Sequence, residues 1–183
     1  MEGPLRGQRV NLAVRPLTAN DYEALRDIRL EALRLHPEAF AADPAQEAAM
    51  PKAEWLARLA SAVSFGGFAD GALIGIAVFS RSSRPKLAHT GDLGAMYVRE
   101  SARGSGLADL LLQTLLTHAA GEVEQIKLTV NAENARAVKF YQRHGFRSIG
   151  RIPNSLRVDA RSYDELIMLR IVSATSCPSR TGP

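Results

Sequence analysis

The feature that most restricts this chain is a change of period between residues 93 and 116. Leu93-Gly-Ala-Met-Tyr-Val98 reads as an apolar strand, and Leu110-Leu-Leu-Gln-Thr-Leu-Leu116 reads as a leucine-rich helix. Arg103-Gly-Ser-Gly-Leu-Ala108 joins them. Glycines at a helix N-terminus let a ligand approach the backbone closely and leave amide N–H groups unpaired. The helix dipole adds partial positive charge at the same place, which suits a phosphate or pyrophosphate.

The rest of the chain surrounds this turn with alternating elements. Val10 to Arg15 alternates like a half-buried strand. Thr18, with Asp21 three residues on, makes the aspartate form of a capping box, and Tyr22, Leu25, Ile28 and Leu33 then share a helical face that Pro37 ends. Residues 37–50 read as a loop. A second helix follows Pro51, with Trp55, Leu56, Leu59 and Val63 as its stripe. Phe65 to Phe79 reads as a hairpin turning at Asp70-Gly71, and residues 80–86 as a loop. Strands are expected at residues 89–98, 125–130, 146–152 and 162–171. Helices are expected from the glycine turn to Ala120 and from Asn134 to His144, the latter closed by Gly145. The order β-α-α-β-β-β-α-β-α-β-β indicates an α/β (α+β) domain with a mixed sheet and helices on both faces. A single domain spans residues 10–171, between a flexible N-terminus (1–9) and a polar, disordered tail (172–183).

Composition narrows the function classes. The 183 residues are 46% hydrophobic and 23% charged, enough for one proper core. Neither a secretory signal nor a bilayer-spanning run is present, so no membrane partner is expected. Cys177 is the lone cysteine, which excludes an intramolecular disulfide or cysteine metal cluster and fits a reducing cytoplasm. The net charge of +4 comes from dispersed basic residues that do not interleave with aromatics, so nucleic-acid binding is not indicated. His36, His89, His118 and His144 have no metal-ligand spacing and read as surface or structural residues.

Alone, Gly104-Ser-Gly106 does no more than shape a tight turn. A Rossmann fingerprint needs a third glycine, which Leu107-Ala-Asp109 does not supply, and no Gly-Lys-Ser/Thr of a P-loop occurs. A second element, Asn134-Ala-Arg-Ala-Val-Lys-Phe-Tyr-Gln-Arg-His-Gly-Phe146, lines Asn134, Ala137 and Tyr141 along one helical face.

Together these motifs resemble the GNAT superfamily of N-acetyltransferases. Arg103–Ala108 matches its R/Q-x-x-G-x-G/A signature, and Asn134–Phe146 its N-x-x-A-x-x-F/L-Y-x-x-x-G-F helix and strand. Val14-Arg-Pro-Leu-Thr18 and Tyr163-Asp-Glu-Leu-Ile-Met168 are similar to a common opening and last strand. The resemblance implies a mostly antiparallel, GNAT-like central sheet, acetyl-CoA as acyl donor and an amine of a small molecule or peptide as acceptor. It implies a monomer or homodimer. The pyrophosphate would lie on the amides of Gly104, Ser105, Gly106, Leu107 and Ala108 beside Arg103, and the pantetheine along the splayed strand at Met96, Tyr97 and Val98. Asn134 would bond the pantetheine and Ala137 would leave it room.

By the same resemblance, Tyr141 protonates the leaving thiolate, the Met96 amide meets the oxyanion, and Asp92 accepts the amine proton. Glu133, His89 and Glu165 stand behind Asp92, and water suffices if burial lowers the amine's pKa. The acceptor would lie near residues 33–53 and 154–163, where Phe40, Arg157, Arg161 and Tyr163 are available. The two arginines hint at an acidic acceptor. A non-catalytic acyl-CoA-binding module is the alternative, against which the retained Tyr141 argues.

Overall fold

The computed structural model describes residues 11–172. The expected flexible segment 1–9, Val10, the tail beyond residue 172 and Cys177 lie outside the described residues. The elements are β1 (Leu12–Pro16), α1 (Tyr22–Leu35), α2 (Pro44–Ala49), α3 (Lys52–Ser61), β2 (Val63–Ala69), β3 (Ala72–Arg81), β4 (Thr90–Val98), α4 (Leu107–Ala120), β5 (Gln125–Asn131), α5 (Ala135–Arg143), β6 (Arg147–Val158) and β7 (Arg161–Ile171).

This is the expected order with one helix added. Residues 44–49 are helical, not loop: Pro44 sits at the first helical position and the Asp43 side chain accepts from the Gln46 amide at 2.8 Å. Val63 also departs from expectation. Helix α3 stops at Ser61, and Val63 opens β2 opposite Phe79. Finally, β6 runs on to Val158 through an irregularity between Ile152 and Leu156, where Asn154 has φ of +51°.

Seven strands form one sheet in the order β1-β2-β3-β4-β5-β7-β6. Every neighbouring pair is antiparallel except β4 with β5. Asp70 and Gly71 turn the β2–β3 hairpin with φ of +47° and +85°, the signs a two-residue type I′ turn demands.

Two cores lie on opposite faces of the sheet. On one, Leu107, Leu111, Leu112 and Leu115 of α4 are fully buried with Tyr141 and Phe146 against Phe65, Ala77, Phe79, Ile126, Leu128 and Met168. Burying one such leucine stabilises the fold by about 1.5–3 kcal/mol. Helix α4 comes this close because β2 and β3 offer a notch: a Cβ at Gly67 or Gly75 would stand about 3 Å from the Leu107 and Leu111 methyls. On the other face, Leu25, Ile28 and Ala32 of α1 cover Leu73, Ile76 and Tyr97, with Leu59 of α3 packed alongside.

Helix α1 begins as its sequence prescribes. The Thr18 amide donates to Asp21 at 2.8 Å, and Arg15 clamps the same carboxylate through both terminal nitrogens. These hydrogen bonds hold the Asp21 carboxyl well below the usual carboxylate range. Helix α2 is tied down by a charged residue: Glu47 is buried, and Arg29 and Arg58 donate to it at 2.9–3.1 Å. Burial works to raise this carboxyl, but the two guanidinium groups outweigh it and hold it low. Among the described residues, no helix is long and apolar enough to cross a membrane.

Candidate active site

The one parallel pairing creates the site. Strands β4 and β5 pair only at Thr90–Gln125, Gly91–Ile126 and Asp92–Lys127, and diverge beyond. From Leu93 to Val98 the β5-facing edge of β4 is therefore without a strand partner, while β3 still pairs on its other side. A bulge opposite Ala77 leaves Ala95 and Met96 outside that ladder as well, with Ala95 at φ of +49°. A cleft of about 940 Å³ opens at this divergence, between β4, the glycine turn, α5 and the segment that follows α1.

The turn at its mouth is built from left-handed glycines, Gly104 at φ +85° and Gly106 at +89°. No atom lies within 4 Å of where a Cβ would stand at either, so the backbone faces open space. The five amides expected to cradle a pyrophosphate divide into two groups. Ser105 N–H donates to Ala102 O, and Leu107 N–H is met by the Ser105 hydroxyl, both at 3.3 Å. Ser105 and Leu107 thus hold the turn together, and neither lines the cleft. The amides of Gly104, Gly106 and Ala108, with that of Asp109, have no acceptor among the described residues. Alternate amides pointing outward at a helix N-terminus form an anion cradle.

Helix α5 brings the second motif to the same cleft. It ends in a Schellman motif: Gly145 takes φ +82°, its amide donates to Gln142 O, and the Phe146 amide donates to Tyr141 O. The Tyr141 backbone is fixed by that bond, and its ring by edge-on contacts with Phe140 and Phe146 at 5.4 and 5.8 Å. The phenol lines the cleft, hydrogen-bonds none of the described residues, and is pushed well above its ordinary pKa by burial. Such a group stays protonated at any working pH and so keeps a proton to donate. Asn134 caps α5: its Oδ1 accepts from the Ala137 amide at 3.0 Å, and its amide nitrogen, with no acceptor among the described residues, remains to donate to a ligand.

Of the expected residues, Met96, Tyr97, Val98, Arg103, Gly104, Gly106, Ala108, Asn134, Ala137 and Tyr141 line one cleft, with Phe40, Glu133, Arg161 and Tyr163. Asp92 does not join them. It sits at the closed end of the divergence, 3.3 Å from Lys127 Nζ, because it belongs to the last paired row of β4 and β5. His89, Glu165 and Arg157 also lie outside the cleft lining; Glu165 accepts from Ser155 and Arg157 donates to Ser162.

Sequence reasoning missed His36, Glu38, Asn131, Arg136 and Arg143, which all line the cleft. Asn131 is buried and bridges two elements: its Nδ2 donates to Glu38 O and its Oδ1 accepts from the Glu133 amide. Of the cleft carboxylates, Asp109 is held by Arg143 and His144, and Glu133 by Arg161 at 2.6 Å. Glu38 has no arginine partner among the described residues; His36 Nδ1 lies 3.7 Å from its carboxylate. Among the described residues, no group of three or more His, Cys, Asp or Glu could hold a metal.

A divided sheet with outward amides and a buried phenol in one cleft has the chemistry to hold an acyl-CoA. The chain belongs to the Acetyltransferase (GNAT) family, whose model matches residues 22–146. Among its relatives is the L-amino acid N-acetyltransferase AaaT of Escherichia coli (strain K12), 27% identical over 140 residues, or 74% of this chain and 82% of that protein. Solved structures share the fold. A GNAT-family acetyltransferase from Streptococcus pneumoniae superposes with a TM-score of 0.79 at 23% identity, covering 88% of this chain and 99% of the other. The protein yncA from Salmonella typhimurium, solved with its cofactor acetyl-CoA, gives 0.76 at 22% identity, with 93% and 99% covered.

Proposed function

We propose that this protein transfers an acetyl group from acetyl-CoA to the primary amine of a small molecule by direct attack within a ternary complex. The observation that carries this reading is the meeting, in one cleft, of the outward amides of the glycine turn, the open edge of β4 and the protonated phenol of Tyr141. The amides of Gly104, Gly106 and Ala108 suit a pyrophosphate, and the unpaired edge of β4 suits the amide groups of a pantetheine arm. Bound there, the donor supplies a thioester carbon for the amine to attack.

The chain's own groups serve the two proton movements and the charge. As the C–N bond forms and the C–S bond breaks, the Met96 amide, freed from the ladder by the bulge, meets the oxyanion. Glu38, the cleft carboxylate without an arginine partner, takes the proton leaving the amine nitrogen. Its place in the cleft lining supports that role, in which it stands in for Asp92, which lies outside that lining. Tyr141 gives its proton to the departing thiolate. The amino-acid acceptor of the Escherichia coli relative supports a small amine as substrate.

Thiol release from acetyl-CoA with a panel of amines, amino acids included, tests the reading. Tyr141→Phe should lower kcat about 100-fold while CoA affinity stays within twofold. Undiminished turnover in Tyr141→Phe removes the phenol from the reaction, and wild-type protein that binds no acetyl-CoA overturns the whole assignment.

A further inference from the structure

We propose that His36 is a positioning residue for the donor site: in its neutral form, protonated on Nδ1, it holds the Arg103 guanidinium beside the glycine turn, and proton uptake by the ring releases it. The inference rests on reading that turn as the donor's phosphate site.

Arg103 Nη2 lies 2.9 Å from His36 Nε2. A guanidinium has five donors and no acceptor, so the ring nitrogen facing it must carry the lone pair. That fixes the tautomer: the ring proton sits on Nδ1, the atom 3.7 Å from a Glu38 carboxylate oxygen. The other contacts of Arg103 are longer. Its Nε donates to Val98 O at 3.4 Å, and its Nη1 is 3.9 Å from Glu100, whose side chain is 89% exposed. His36 is therefore the short tie that orients this arginine.

The ring is well placed to hold still. Its residue caps the C-terminus of α1, with its amide donating to Ala32 O at 3.0 Å, and the ring stands 5.9 Å from that of Tyr97. Tyr97 OH donates to Glu31, which also accepts from Arg99. Burial first, then the Glu31 contact, pushes the Tyr97 phenol up to about 12, so it adds no charge at working pH. The charged groups facing His36 are thus Arg103 at 2.9 Å and Glu38 at 3.7 Å. The Glu31–Arg99 pair stands behind Tyr97.

A doubly protonated ring has no lone pair, and it would face a second cation at hydrogen-bond distance. Arg103 would then lose its orienting partner. The segment carrying His36 would keep its second tie, from Asn131 Nδ2 to Glu38 O at 3.0 Å. Donor binding, and not the fold, is what the proton would weaken.

The test is calorimetric titration with CoA between pH 5.5 and 8.5 for wild type, His36→Gln and His36→Leu. The glutamine amide oxygen reaches about as far as Nε2, accepts a hydrogen bond and does not titrate. The phosphate monoester of CoA titrates near 6 in every titration alike, so the comparison between variants carries the result. Wild type should lose about tenfold more affinity than His36→Gln on acidification, and His36→Leu should bind about tenfold more weakly than wild type at pH 8. Equal acid loss in wild type and His36→Gln overturns the proposal, as does wild-type affinity in His36→Leu at pH 8. Wild type that binds no CoA at pH 8 overturns the donor reading itself, and this inference with it.

Discussion

Replacing Gly106 by alanine separates what the turn contributes to folding from what it contributes to binding. A Cβ there meets no atom within 4 Å, so the substitution brings backbone strain without a clash. Holding an L-residue in the left-handed region costs about 1–2 kcal/mol. The folded, ligand-free protein can bear that strain, which lowers its stability, or relax the turn and lose the cradle, which moves the cost to donor binding. In either case the losses in folding and binding together equal the strain. One correction is needed, because alanine also restricts the unfolded chain and thereby stabilises by about 0.4–1 kcal/mol.

Gly121→Ala measures that correction. Gly121 has φ of −84°, and a Cβ there would lie 3.6 Å from its nearest neighbour, the His118 carbonyl, so alanine adds the entropy effect with no strain. The assays are thermal melting and CoA titration on both variants. Relative to Gly121→Ala, Gly106→Ala should lose about 2–8 °C in Tm, up to about tenfold or more in Kd, or a combination summing to 1–2 kcal/mol. If Gly106→Ala matches Gly121→Ala in Tm and wild type in Kd, the left-handed turn is not what the donor reads, and the reasoning fails.

Two further outcomes follow from geometry already described. Gly145→Ala places a Cβ at φ +82° in the Schellman motif that fixes Tyr141, so it should destabilise by about 1–2 kcal/mol in thermal melts and lower kcat more than it weakens CoA binding. For Asp21 the folded pKa lies below the unfolded one, so its contribution to stability is fully present above the ordinary carboxylate range and is lost as pH falls through the folded value. The Tm gap between wild type and Asp21→Asn should accordingly be constant from pH 8 to 5 and shrink in acid; a gap that grows in acid would contradict the sign.

The sequence was most readable where one residue type answers one backbone demand. Asp70-Gly71, Gly104, Gly106 and Gly145 each announced a left-handed position, and the structure uses each as such. Helix α2 was silent because its one buried side chain is Glu47, a charge, so apolar periodicity had nothing to register. Asp43-Pro44 was its only signal, an N-cap followed by proline at N1. Val63 looked like the next apolar position of α3, but a helix stripe and the first residue of a strand are indistinguishable at a boundary. The cleft lining drawn from β4, the glycine turn and α5 was legible because each stretch is contiguous in sequence. His36, Glu38 and Asn131 were not, since their roles come from partners 67 residues away in one case and 93 in another. Asp92 stands apart from the cleft for the converse reason: its strand was evident, but its row, opposite Lys127, depends on a parallel pairing that no local pattern encodes.

The three-row seam between β4 and β5 has a mechanical consequence. On either side of it the strands are bound into antiparallel blocks, β1 to β4 and β5 to β7, each laddered along most of its length. What governs their splay is the apolar wedge beneath, where the leucines of α4 share one core with Phe79 and Leu93 of the first block and Ile126 and Leu128 of the second. Aperture is then a matter of volume under the seam. A methylene added or removed at a residue that never meets substrate would re-angle the two blocks, and so retune which acceptors fit.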